Sequence, residues 1–379
     1  MVELPVRRPG DVNRHAYVDE AAIARLIRAV EPDVLDVHEE PVSIAARQWL
    51  GAAPPGLPVV MYTAQNVDKR YPPPFSGYER RAYRRIGALY PCSRQAASVA
   101  RGKGFAGPIE VIPLGYDPLL FRPGEQTVAA GELVLALVGR LVPEKGVRDA
   151  VRVLARIERD RPARLVLVGA GPEEAPARAL AAELGVGARV EFAEWRDAAG
   201  VARVYRDAHI VLVPSRPTET WVEQFGRVVV EAQSSGAVVA AYASGAIPEV
   251  AGEAALLAQV GDDVALAESI RPLDGAAFAR LRDRGLELAR TRTWPQVAER
   301  HVDLYRQAAE GRLEARVLPG SPHERRALAR AEFGATAATI GGLRPFALPL
   351  LRRGGRTSRL LAVAIDTAAE LRQRPSTAR

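Results

Sequence analysis

The feature that most constrains this chain is a repeated pairing: a short apolar run rich in β-branched residues, then an alanine- and arginine-rich stretch of helical length. The runs fall at residues 33–37, 59–62, 89–91, 110–112, 133–138, 165–168, 190–192, 210–213 and 238–241. Strands separated by helices of this length pair in parallel through βαβ crossovers. Each run is apolar nearly throughout instead of alternating, which is the signature of strands covered by helices on both faces. The predicted class is therefore α/β, with doubly wound parallel sheets.

A chain of 379 residues with 48% hydrophobic content buries a large core and divides most naturally into two domains. Residues 115–132 contain Pro118, Pro123, Gly124 and Gly131 with little apolar periodicity, so the boundary is expected there. This gives a first domain at 1–124, a second at 125–300, and a terminal helix with a basic tail at 301–379. Ligands of open parallel sheets bind beyond the carboxyl ends of the strands, so two such domains facing each other are expected to enclose a cleft, with motifs just after strands.

Composition narrows the chemistry. One cysteine, Cys92, and five scattered histidines allow neither a disulfide framework nor a Cys/His zinc cluster, and they fit a reducing cytoplasm. Residues 1–11 lack an apolar signal region, and no segment offers the ~20 uninterrupted apolar residues of a spanning helix. Neither export nor a transmembrane anchor is expected. The net charge of +7 favours phosphates, on a nucleotide, a nucleic acid or an anionic membrane, although the wealth of Arg, Ala, Gly and Pro is equally what GC-rich coding produces. Nucleic acid ranks last among these, because no aromatic-interleaved basic motif accompanies the charge.

The motifs that carry chemistry sit where the strands end. After the 133–138 run comes Gly139-Arg140-Leu141-Val142-Pro143-Glu144-Lys145-Gly146, followed by a helical stretch. Backbone N–H groups at a helix start favour an anion; Arg140 offers a forked donor and Lys145 a compact charge, so together they suit a diphosphate. The next strand ends in Gly169-Ala170-Gly171, whose small residues permit close approach to a ligand. Alone, each of these is also what an ordinary basic turn or strand-to-helix turn looks like. The sharpest signal is Glu223-Gln224-Phe225-Gly226-Arg227-Val228-Val229-Val230-Glu231, after Pro214-Ser215-Arg216. If Gly226 opens a helix, Glu223 lies on the loop at its mouth and Glu231 lies more than a turn inside, where one carboxylate can meet a sugar hydroxyl and the other a ribose hydroxyl; taken alone, paired glutamates are also common on ordinary helix faces. The loop Ala243-Ser244-Gly245-Ala246-Ile247-Pro248-Glu249 completes the rim.

Taken together, GRLVPEKG, LVGAGPEE, AHIVLVPS, EQFGRVVVEAQSSG and SGAIPEV resemble, in order and spacing, the family-4 retaining glycosyltransferases, and the resemblance runs from about Pro32 to Tyr305. It implies a GT-B fold of two facing Rossmann-like domains, with an N-terminal domain that is incomplete because about two βα units of the family pattern have no counterpart before Val2–Arg7. It implies a nucleoside-diphosphate sugar as donor substrate and no metal or other cofactor, consistent with the lack of a D-x-D element; Asp262 and Asp263 read as a helix-capping turn. By position, Arg140 and Lys145 stabilise the departing diphosphate and Glu223 positions the sugar. Gly139, Gly169, Ser215, Phe225, Gly226 and Glu231 hold the donor, Phe225 and Gly226 through backbone N–H groups. The implied reaction transfers a sugar, with retention of anomeric configuration, to a glycan, lipid-linked or small-molecule acceptor. Two readings stand beside it: a catalytically inactive subunit that binds a nucleotide sugar or a partner, and a nucleotide-sugar epimerase of the same fold.

Outside the donor motifs, His38 ends the 33–37 run beside Glu39 and Glu40 and is a candidate to contact acceptor or sugar. Gln65 or Asn66 stands where the family often carries a histidine, a departure that bears against carrying over a catalytic histidine role, while their amides can still position an acceptor through hydrogen bonds. His209 and Cys92 read as packing residues. Arg80, Arg81, Arg84 and Arg85 follow Arg70-Tyr71-Pro72-Pro73-Pro74-Phe75 and are expected to form a solvated basic helix or to meet an anionic acceptor or a membrane surface peripherally. The tail from Arg316 includes an apolar segment at 340–351 edged by Arg352 and Arg353, readable as an interfacial segment or as an arm that covers exposed core.

Overall fold

The computed structural model describes residues 1–336, apart from 12, 125–130, 195 and 220. The chain divides into two compact units. Among the described residues, the first comprises Met1–Tyr90 and Ser98–Glu110 with those from Gln307 on; the second comprises Pro91–Ala97 and Val111–Arg306. The division falls earlier than composition suggests. Tyr116 donates its N–H to the Arg292 carbonyl, Phe121 packs its ring 6.1 Å from Tyr205, and Gly124 N–H bonds the Ser235 carbonyl. Tyr116, Phe121 and Gly124 are thus already part of the second unit's packing.

The first unit opens with a two-residue antiparallel pair, β1 (Val6–Arg7) and β2 (Ala16–Tyr17). Helix α1 (Glu20–Val30) follows, capped by Asp19, whose carboxylate accepts the Ala21 N–H. Its buried residues Ile23 and Ile27 stand one turn apart on the core face. Strand β3 (Leu35–Val37), helix α2 (Ile44–Ala52), strand β4 (Val59–Thr63), helix α3 (Phe75–Arg85), strand β5 (Ala88–Pro91) and helix α4 (Arg94–Gly102), of which residues 94–97 count with the second unit, complete the alternation. The strands form a sheet in the order β3-β4-β5, with β3 and β4 parallel. Leu35, Val37, Val59 and Met61 enter one core with Ile23 and Ile27, which leaves Asp36 and Tyr62 to the opposite face by the strand's period of two. Residues 110–112 do not become a strand. The chain makes one isolated bridge there, Leu89 with Ile109, between Pro108 and Pro113, which have no N–H to extend a ladder.

The second unit holds β6 (Leu133–Val138), α5 (Val147–Ile157), β7 (Ala163–Val168), α6 (Glu174–Glu183), β8 (Val190–Ala193), α7 (Ala198–Asp207), β9 (Ile210–Val213), α8 (Arg227–Ser234), β10 (Val238–Tyr242), α9 (Ile247–Ala251) and β11 (Ala255–Ala258). Helices α10 (Asp263–Ile270), α11 (Gly275–Arg290) and α12 (Trp294–Ala309) close it. Its sheet runs β11-β10-β9-β6-β7-β8 and every pairing is parallel. Counted from β6 this is the doubly wound order 3-2-1-4-5-6, so the direction of winding switches between β6 and β9. Leu135, Leu137, Leu165, Leu167, Ile210 and Leu212 are buried in one cluster with Val147, Val151 and Leu154 of α5. Asp262 caps α10 through the Ala265 N–H at 2.8 Å. Among the described residues, no helix is long and apolar enough to cross a membrane.

The described part of the tail forms a further helix, α13 (Pro322–Phe333), which belongs to the first unit. It starts on Ser321, whose hydroxyl accepts the Glu324 N–H at 3.1 Å and donates to the Glu324 carboxylate at 2.7 Å. The segment 340–351, with Arg352 and Arg353, lies outside the described residues.

Candidate functional site

The switch point of the second sheet defines the place to look, because there the loops leaving neighbouring strands turn to opposite faces and open a crevice. The loop after β6 carries Gly139, Arg140 and Lys145; the loop after β9 carries Ser215, Trp221 and Glu223. Lys145 Nζ donates to Glu223 Oε2 at 2.7 Å, and the buried Ser215 hydroxyl donates to the same oxygen at 3.2 Å. Residues 78 positions apart therefore meet as one hydrogen-bonded group. Glu223 is only 9% exposed, so the ammonium and the hydroxyl supply partners that solvent does not. Lys145 Nζ also lies 4.8 Å from the centroid of the Trp221 ring, within cation–π range. Arg140 stands apart from this group: it is exposed and forms no ion pair among the described residues.

The two loops are fastened below the site. Asp149, buried in the first turn of α5, accepts Arg216 Nε on Oδ2 at 2.5 Å and Arg216 Nη2 on Oδ1 at 2.9 Å, and Arg152 Nη1 also donates to Oδ1 at 2.8 Å. The bond to Asp149 holds the Arg216 guanidinium even further above neutrality than usual. The Arg216 N–H bonds the Glu144 carbonyl at 2.8 Å, so backbone and side chain both tie the β9 loop to the turn bearing Lys145.

Glycine is required at two close approaches. A Cβ at Gly169 would lie 1.9 Å from the Gly139 carbonyl oxygen, so the turns after β6 and β7 pack backbone to backbone. Gly245, at φ +57°, would bring a Cβ to 2.1 Å from the Glu223 carbonyl oxygen, which accepts the Ala246 N–H at 3.0 Å. The loop after β10 thus presses on the backbone of Glu223 and fixes its height.

Gly226 is the N-cap of α8, so Phe225 and Gly226 present backbone at a helix start and Glu231 lies inside the helix. The Glu231 carboxylate is nearly buried and both oxygens are engaged. Oε1 accepts Arg227 Nε and Nη2 at 3.3 and 3.2 Å, and Oε2 accepts the Tyr205 hydroxyl at 3.4 Å. Burial, with the Glu231 charge beside it, pushes the Tyr205 phenol well above its usual pKa, so it stays a donor.

His38 lies in the first unit, whereas the other candidates lie in the second. Exposed at the end of β3, it stacks on Tyr62 with ring centroids 4.1 Å apart and planes at 13°, and its Nδ1 lies 3.4 Å from the Tyr90 hydroxyl, which donates to Asp36. Gln65 is buried and donates to the Val67 carbonyl at 3.2 Å. His209 Nδ1 accepts the Val134 N–H at 2.9 Å, so that nitrogen carries a lone pair and braces β6; Cys92 is buried.

Sequence reasoning did not single out Trp221, Asp149, Arg216, Arg227 or Tyr205. Arg227 was legible as the i,i+4 partner of Glu231 on a helix. The Asp149–Arg216 bond carries no local signal.

Two family models match in tandem: Glycosyltransferase Family 4 over residues 2–118 and Glycosyl transferases group 1 over residues 123–273. The chain is 34% identical over 221 residues to a D-inositol 3-phosphate glycosyltransferase of Corynebacterium glutamicum, covering 53% of this chain and 52% of that protein. It is 36% identical over 228 residues to one of Acidothermus cellulolyticus, covering 55% and 50%. The match thus spans about half the length of these relatives. Among solved structures, sucrose-phosphate synthase of Thermosynechococcus elongatus aligns with a TM-score of 0.63 at 24% identity over 77% of each chain. The Anabaena protein HepE, in complex with UDP and glucose, aligns with a TM-score of 0.60 at 21% identity over 77% of this chain and 81% of its own. At these identities the likeness is one of fold, the GT-B plan of two Rossmann-like domains.

Proposed function

Because the chain belongs to the group 1 glycosyltransferases of family 4, we propose that it transfers a sugar from a nucleoside-diphosphate sugar to an acceptor hydroxyl, using the loops after β6 and β9 as its donor site. The observation that carries this reading is the Lys145–Glu223–Ser215 group at the switch point. There a cation for phosphate oxygens and a carboxylate for sugar hydroxyls stand side by side at the carboxyl ends of parallel strands.

In this reading Lys145 and Arg140 neutralise the diphosphate as its bond to the anomeric carbon breaks, which is where charge develops. They take the part a metal would otherwise play, so no metal cofactor is invoked. Glu223 orients the sugar, Glu231 meets the ribose once Arg227 swings aside, and the backbone of Gly139, Gly169, Phe225 and Gly226 lines the donor. Retention follows if the acceptor oxygen bonds the anomeric carbon on the face the diphosphate leaves, with the acceptor proton passing to the departing phosphate oxygen. His38, on its Tyr62 platform, is assigned to the acceptor. That acceptor is a glycan, a lipid-linked sugar or a small molecule, and a phosphorylated polyol is the first to try, given the relatives. A single buried cysteine suits the cytoplasm, and the exposed Arg80, Arg81 and Arg84 of α3 suit a peripheral contact with an anionic membrane face.

Calorimetric titration with UDP, GDP and ADP tests the donor site. The expected outcome is micromolar binding of one nucleotide, weakened about tenfold or more by Lys145→Ala and by Glu231→Ala, since each removes a charge-assisted contact of about 1.5–3 kcal/mol. Binding of none, or binding indifferent to both changes, would sink the assignment. Binding without transfer to any acceptor would favour an inactive nucleotide-sugar-binding subunit.

A further inference from the structure

The indole of Trp221 is delivered to the site by its own turn. Thr218 donates its N–H to the Trp221 carbonyl at 2.8 Å, and the Trp221 N–H donates to Thr218 Oγ1 at 3.0 Å. Thr218 and Trp221 are therefore tied to each other, and Arg216 is anchored to the buried Asp149. Two residues after the indole comes Glu223, and both side chains converge on one atom: Lys145 Nζ, 2.7 Å from the carboxylate and 4.8 Å from the ring centroid.

We propose that Trp221 is a positioning residue for Lys145: its π face keeps the ammonium at the donor site, so that a nucleoside diphosphate takes the cation over from Glu223 and leaves that carboxylate open to the sugar. The proposal rests on the reading of these loops as the donor site. Lys145 is a flexible four-carbon stem whose side chain keeps 23% of its exposure, and fixing such a stem costs conformational entropy. A carboxylate alone would hold it, but that same carboxylate is wanted for the sugar. An aromatic face attracts the cation without competing for phosphate, because it offers no hydrogen-bond acceptor directed at one proton. The ammonium has three donors, so it turns toward a diphosphate while it stays over the ring.

The test is a double-mutant cycle read by calorimetry with UDP, GDP and ADP on the full chain, using Trp221→Ala, Trp221→Phe, Lys145→Ala and Trp221→Ala/Lys145→Ala. Wild type against Lys145→Ala tests the donor site by itself; if no nucleotide binds, or the two bind alike, that reading falls and the proposal falls with it. Where a nucleotide binds through Lys145, Trp221→Ala is expected to weaken it about three- to thirtyfold, the range of a cation–π contact, and Trp221→Phe by less. In the Lys145→Ala background, Trp221→Ala is expected to change nothing further. Equal weakening in both backgrounds would mean that the ring acts through packing and not through Lys145, and would overturn the proposal. A second readout does not depend on affinity: the nucleotide should change tryptophan emission in the wild type, and the change should vanish in Trp221→Phe. Its persistence there would place the responding indole elsewhere.

Discussion

His15 shows how its neighbours favour the charged form of a single side chain. Its Nδ1 lies 3.1 Å from the Asp11 carbonyl oxygen and its Nε2 lies 2.8 Å from Glu39 Oε1. Both partners accept, so the imidazolium form, which donates from both ring nitrogens, satisfies both contacts. Burial by itself would lower the pKa of His15, but the hydrogen bond and charge of Glu39 more than offset it and the net shift is upward. A raised folded-state pKa stabilises the fold fully below the unfolded value of about 6.5 and loses that contribution as pH rises through the folded value. The melting temperature of the wild type is therefore expected to fall relative to Glu39→Gln as pH rises from about 6.5 through the raised folded-state pKa of His15, with the His15 titration followed by NMR as the direct check. A wild type and variant with parallel profiles would show that the pair contributes nothing. The donor site draws on the same residue-scale chemistry, for Glu223, like Glu39, is a shielded carboxylate whose oxygen lies within hydrogen-bond reach of a basic nitrogen.

Among the elements, α13 makes the clearest energetic statement. Its last turn places Glu332 on Arg101, a guanidinium only 2% exposed on α4, with Nε at 3.1 Å and Nη2 at 3.2 Å; Arg101 Nη1 also donates to the Gly107 carbonyl at 3.0 Å. Nearer its start, Arg326 donates to Asp68 at 3.0 and 2.7 Å, but from a half-exposed position. Removing the partner of a buried charge is costly, whereas an exposed pair is screened by water. Glu332→Ala is expected to lower stability by about 2 kcal/mol and Arg326→Ala by no more than about 0.5 kcal/mol, measured by urea denaturation. The reverse order would show that the helix is held mainly through Asp68. The tail that composition marked only as basic is, over its described residues, a packed part of the first unit.

Over the molecule as a whole, donor binding and folding are linked, since a ligand that binds only the folded second unit stabilises it. At a hundred times Kd, the nucleotide is expected to add about 2.7 kcal/mol, read as a rise in melting temperature and as slower hydrogen exchange in β6 and β9; protection confined to other strands would contradict the assigned site. Much of this architecture was legible in the chain. The runs at 133–138 and 210–213 coincide with β6 and β9 because a strand buried on both faces must be apolar throughout, and the loops between strand and helix followed from glycine and charge. Two short pairings escaped: β1 and β2 are too brief to show a period, and Ala255–Ala258 is rich in alanine and leucine, so its identity as the edge strand β11 came from its neighbour β10. The sequence by itself determined the α/β class, the strand-end loops and the residue types they carry, because these depend on periodicity and local backbone preference. Only the tertiary structure decided the strand order that brings β6 beside β9, and with it the meeting of Lys145, Ser215, Trp221 and Glu223 and the clamp of Arg216 on Asp149, because contacts between residues far apart in the chain are set by packing and leave no local period to read.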